Sequence, residues 1–203
     1  AAIQKANRFE TAILPEETKS EQIENFNLLK TTTSDDELRQ LTSHKNGVVR
    51  VYSFKALSER QSSELYEIIL DHIADNEVID CFFHGFEFVH SERYKDKVAE
   101  FFVSCEALSF KERQALDSIL IFSNHYLDHT DYLLRDIEPQ EKYYEQIKNL
   151  AQKREYENAV IALAKFKKSQ DLSLIASIIK ETPDYSLASI ELFPDQYLKN
   201  VLN

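Results

Sequence analysis

The sequence predicts a mainly α-helical protein, and three observations carry that expectation. Only two glycines and four prolines occur in 203 residues, too few turn formers for a many-stranded sheet whose hairpins repeatedly need positive φ. Apolar residues recur at helical spacing through most of the chain. Two Ser-x-x-Glu boxes, Ser34 to Glu37 and Ser109 to Glu112, supply the reciprocal bonds that open a helix. Hydrophobic residues make up 43% and aromatics 11%, enough apolar surface to offset chain entropy, so the chain should fold.

Residues 1–17 carry Pro15 without sustained periodicity and read as an N-terminal arm, leaving 18–203 as a single helical domain. Ile23, Phe26, Leu28 and Leu29 predict a first helix, broken by the β-branched run Thr31, Thr32 and Thr33. The first capping box opens a short helix to about His44. Gly47 follows in a turn where it is expected to take positive φ. A helix over Val48 to Arg60 comes next, then one over Ser63 to Ala74 with Leu65, Ile69, His72 and Ile73 on one face.

Val78 to His90 fits either a helix or a short hairpin around Gly85, and periodicity does not decide between them, so one irregular or β-hairpin element is allowed near 78–98. Helix is expected again over Tyr94 to Cys105 and from Ser109 to about Leu127. Asp131 to Asp136 makes one turn or two. Pro139 then introduces helices over Gln140 to Lys153, Tyr156 to Lys168 and Asp171 to Lys180, whose short connections make them antiparallel neighbours. Pro183 and Pro194 punctuate two last short helices.

Composition narrows the function. Lysine and arginine total 24 against 35 acidic residues, a formal net charge of -11, so the mean surface potential repels phosphate backbones and anionic lipid. The longest apolar runs fall far short of the ~20 residues that span a bilayer, and no membrane partner is expected. Two cysteines, Cys81 and Cys105, are too few for a disulfide framework. The chain holds no methionine, so its translation start is expected ahead of Ala1.

One segment carries more than generic helicity. Asn46 to Leu57, N-G-V-V-R-V-Y-S-F-K-A-L, places a turn amide at Asn46, Val49-Arg50, and small residues Ser53 and Ala56 at helical spacing. It resembles the second half of a HEAT repeat. A weaker match is A-V-I-A-L-A-K-F-K-K, Ala159 to Lys168, where the Val-Arg pair is absent. With L-D-S-I-L-I-F-S-N the chain from Ser34 to about Val201 is similar to a group of uncharacterised HEAT-like bacterial proteins, those of Bacteroidetes in particular. The resemblance implies a stack of antiparallel helix pairs, an α-α superhelix, that presents a surface to another macromolecule. It implies no catalytic residues. In such repeats the arginine bonds the turn acid or amide of a neighbouring repeat, which is the role expected of Arg50.

Four carboxylates, Glu64, Glu67, Asp71 and Asp75, fall on one arc of the third helix without interleaved lysines, and Glu77 and Asp80 extend the run. A solvated face is the ordinary reading of such a row. A basic protein partner is the functional one, since it would gain steering and affinity there. Tyr143 and Tyr144 are adjacent, so one of them is expected to face outward as a contact. The function expected is therefore non-enzymatic protein binding, with an immunity or antitoxin protein that caps a basic toxin as its sharper form. No cofactor is expected.

Two rival readings have weaker signals. His125 and His129 stand four apart with Asp128 and Asp131 near by, which suits a metal-dependent enzyme site between helices, but the pattern lacks the Glu of H-E-x-x-H. Cys81, His84, His90 and Cys105 have partial zinc spacing across an uncertain element. Lys142 to Lys168 is the richest basic stretch and the place where nucleic acid would bind if it did, although a mixed helix surface explains it as well.

Overall fold

Tyr52 is the centre of the N-terminal half: its side chain is fully excluded from water and its hydroxyl accepts from the Glu10 backbone N–H at 2.7 Å. The structure is a computed structural model that describes residues 2–12, 19–84, 92–123, 125–181 and 191. It is mainly helical, with a small three-stranded sheet. Contacts group the chain into two units, Ala1–Arg113 and Gln114–Asn203, where the sequence suggested one domain from residue 18. Gly85, His90 and the two short helices expected around Pro183 and Pro194 lie outside the described residues.

In the first unit the stretch expected as an arm includes α1 (Ala2–Ala6) and β1 (Phe9–Ala12). Both are anchored by apolar side chains: Ile3 and Phe9 are buried, and the Phe9 ring lies 4.9 Å from the rings of Tyr52 and Phe101. Four helices follow, α2 (Glu21–Thr32), α3 (Asp35–Thr42), α4 (Gly47–Glu59) and α5 (Leu65–His72). Helix α2 is capped by Ser20, and α3 carries the reciprocal Ser34–Glu37 box that its sequence predicts. Helix α4 is buried on nearly all sides because α2, α3 and α6 (Val98–Val103) pack around it. That is why its apolar residues do not fall on one stripe.

Gly47 corrects one expectation. No glycine among the described residues has positive φ; Gly47 is the first residue of α4, and a Cβ there would lie 2.8 Å from Ile79 and from Val98. The position is glycine because neighbouring side chains reach the backbone. The left-handed turns are made by Asn7, Gln61, Tyr126, Arg154 and Lys167 instead.

The ambiguous segment is extended. Strand β2 (Val78–His84) pairs antiparallel with β3 (Glu92–Lys97), Cys81 opposite Tyr94, and parallel with β1, Phe9 opposite Cys81. The helix expected from Tyr94 therefore begins only at Val98. Residues 93–97, R-Y-K-D-K, have no apolar helical face to bury, whereas pairing with β2 satisfies their backbone.

In the second unit the second capping box opens α7 (Phe110–Phe122), which crosses the boundary between the units. Then come α8 (Asp128–Asp136), α9 (Tyr144–Lys153), α10 (Ala159–Lys165) and α11 (Leu172–Ile179). A 3-10 turn, Glu141–Tyr143, runs straight into α9, and another, Ser169–Asp171, runs straight into α11. The left-handed residue, the short turn and the helix each recur after about 28 residues, Tyr126 to Arg154, Glu141 to Ser169, and Tyr144 to Leu172. One core runs through this unit, from Ile121 and Leu134 through Ile147 and Leu163 to Ile175 and Ile179. The alanines of α10 let α8 and α9 approach it closely.

Candidate functional site

The acidic face is built by α5, which buries Leu65, Ile68 and Ile69 and so turns Glu67 and Asp71 outward. Glu64, just ahead of the helix, is also exposed and pairs with Arg39 of α3. Hydrogen bonding to Glu64 and the charges of Glu64, Asp71 and Asp36 raise the Arg39 guanidinium above its ordinary value. The relief of like-charge repulsion thus comes from a neighbouring helix, which spacing along one helix does not reveal.

Asp75 does not belong to that outward row. It lies past the end of α5 and faces Arg50, a buried guanidinium with partners on every side. Arg50 donates from Nε to Asp75 Oδ2 at 2.8 Å, from Nη2 to Asp75 Oδ1 at 3.0 Å and to Glu77 Oε2 at 2.7 Å, and from Nη1 to the His44 carbonyl at 2.7 Å. Burial alone would lower this guanidinium's pKa, but the Asp75 and Glu77 carboxylates outweigh it and raise the value. Glu77 also accepts from the Gly47 backbone N–H at 3.0 Å. His72 lies 3.5 Å from Asp75, and burial pulls its pKa down despite that carboxylate. Arg50 therefore ties the turn before α4 to the turn after α5, as expected for a bonded arginine at this place.

Tyr143 and Tyr144 are both buried, at 3% exposure each, so neither is the outward contact expected of one of them. The 3-10 turn ends at Tyr143 and α9 begins at Tyr144, and each hydroxyl finds a partner: Tyr143 bonds Ser118 Oγ at 2.6 Å, while Tyr144 donates to Asp171 Oδ2 at 2.8 Å. A polar tip held inside lets a tyrosine bury its ring. Among the described residues, the exposed aromatics of this unit are Phe122, Tyr126 and Tyr132.

The basic stretch is likewise engaged. Lys148 pairs with Asp171 at 2.7 Å, Lys168 with Glu141 at 2.6 Å, and Arg154 with Glu181 at 3.0 Å. Lys165 donates to the carbonyls of Arg135 and Ile137. These four cations of the stretch thus have partners within the chain.

Among the described residues no three His, Cys, Asp or Glu side chains converge as a metal cage. Asp131, one of the carboxylates placed near His125 and His129, accepts from the Asn158 backbone N–H at 2.8 Å and from its side-chain amide at 2.7 Å. Cys81 and Cys105 are free and buried, and burial pushes the Cys81 thiol up to about 12, far from the thiolate that a nucleophile or a ligand needs.

A feature with no signal in the sequence joins four residues from three segments. Glu10, buried in β1, accepts from Ser20 Oγ at 2.6 Å, bonds His84 Nε2 at 2.7 Å and pairs with Arg8. Burial raises the carboxyl's pKa, and the bonds from Ser20, His84 and Arg8 more than reverse this. Ser20 donates to Glu10 rather than to His84 and also caps α2. The order is not that of a Ser-His-acid relay, and a carboxylate held below its usual range is a poor base near neutrality. Comparison of the chain with protein families, with curated proteins and with solved structures found no match.

Proposed function

We propose that this chain is a non-enzymatic, HEAT-like helical-repeat module that binds a basic protein, with the capping of a basic toxin as the specific form of that role. The observation that supports a helical repeat is the recurrence in the second unit, at an interval shorter than the roughly 40 residues of a HEAT repeat. Bonds join residues 27 apart: Asp131 to Asn158, Glu141 to Lys168, Tyr144 to Asp171 and Arg154 to Glu181. Bonds repeated at one sequence interval are what neighbouring units of a stack make with each other. In the first unit the bonds from Arg50 to Asp75 and Glu77, in the turn after α5, are of the kind the HEAT resemblance implies and support the reading. Arrays of this kind act by offering a surface, and the chemistry of the exposed carboxylates Glu64, Glu67 and Asp71 selects a basic one.

The test places a photo-crosslinking amino acid at Tyr66, beside the acidic face, and exposes the full chain to lysate of its source organism. A crosslinked protein with a basic surface, lost from the E64Q/E67Q/D71N variant and at high salt, is the expected result. Crosslinking that survives both changes would place the interface elsewhere.

A further inference from the structure

The geometry points to a second binding site, a cleft between β1, α2 and α4 that takes a small organic anion with a flat apolar body. The cleft holds about 330 Å³, within the size range of small-molecule sites. Phe26 lies in its wall, and the ammonium groups of Lys30 and Lys55 stand 5.4 and 5.5 Å from that ring's centroid. Both lysines also bond one carboxylate: Lys30 meets Glu59 Oε2 at 2.7 Å and Lys55 meets Glu59 Oε1 at 2.9 Å. Burial would raise the Glu59 carboxyl's pKa, but the two ammoniums hold it below its usual range.

Charge decides the class of ligand. Glu10, also in the wall, is paired with Arg8, so among the described residues two lysines face one remaining glutamate and leave a local positive charge. All three side chains remain about one-third exposed, so an entering anion reaches the ammoniums and takes over bonds now made to Glu59. Phe26 is only 6% exposed, so the ligand's apolar body meets a small part of that ring together with the methylene stems of Lys30 and Lys55, and Thr11 and Asn27 also line the cleft. This site is independent of the acidic face on α5.

Isothermal titration of the full chain with 2-naphthoate, with the neutral 2-naphthylmethanol and with inorganic phosphate tests the proposal. Naphthoate should bind saturably with one site per chain, and both the alcohol and phosphate should bind more weakly, by about tenfold or more. K30Q and K55Q should each weaken naphthoate about fivefold or more. E59Q should tighten it by a similar factor, because two ammoniums lose their internal competitor. A gain of affinity does not arise from a damaged fold, and the melting temperature of each variant checks the losses. The proposal fails if naphthoate does not saturate at millimolar concentration, or if the lysine variants bind as the wild type does. It fails equally if the alcohol or phosphate matches naphthoate, or if E59Q gives no gain.

Discussion

The Arg50 guanidinium grips the Asp75 carboxylate through two parallel bonds, Nε to Oδ2 at 2.8 Å and Nη2 to Oδ1 at 3.0 Å. Removing one partner of so buried a pair strands the other charge, which costs more than the pair itself contributes. R50A and D75N should each destabilise the protein by about 3 kcal/mol, read from chemical denaturation. The exposed changes E64Q, E67Q and D71N should each stay within about 0.5 kcal/mol of wild type. Equal costs at Asp75 and Asp71 would contradict the division of the acidic row into an inner and an outer part.

Gly47 has Ile79, Val98 and Glu77 within 3 Å of where a Cβ would stand. Alanine is the better helix former, yet G47A should lose about 1–3 kcal/mol because two branched side chains must move. An unchanged or raised melting temperature would show that the neighbours yield freely.

Glu10 links stability to pH. Its folded pKa is depressed, so its contribution is present above the unfolded carboxylate value near 4.5 and is lost as pH falls through the lower folded value. E10Q should therefore be less stable than wild type by about 1–3 kcal/mol at neutral pH, and the gap should narrow in acid. Denaturation curves over a pH series test this, and a gap of constant size would rule out a carboxylate held by Ser20, His84 and Arg8.

Tyr144 donates to an Asp171 that is only 1% exposed. Y144F should cost about 1–3 kcal/mol, the penalty for a buried acceptor deprived of a donor. Y132F, at an exposed ring, should be close to neutral. Similar small effects at both positions would mean that Lys148 alone satisfies Asp171.

Local rules gave the helices where partner and signal lie within one turn. The Ser34 and Ser109 boxes formed as their four-residue patterns require, and the Asn46 to Leu57 match led to a bonded Arg50. The scarcity of glycine and proline was enough for a mainly helical chain. Tertiary structure alone decided three other matters. Strand β1 forms in a stretch without periodicity because β2, about seventy residues later, supplies its hydrogen bonds. Tyr143 and Tyr144 both turn inward because Ser118 and Asp171 await their hydroxyls. Glu10, Ser20 and His84 meet although no pattern links them. Capping boxes and hydrophobic spacing act over a few residues, whereas the placement of these side chains depends on which distant partner removes the cost of burying a polar group.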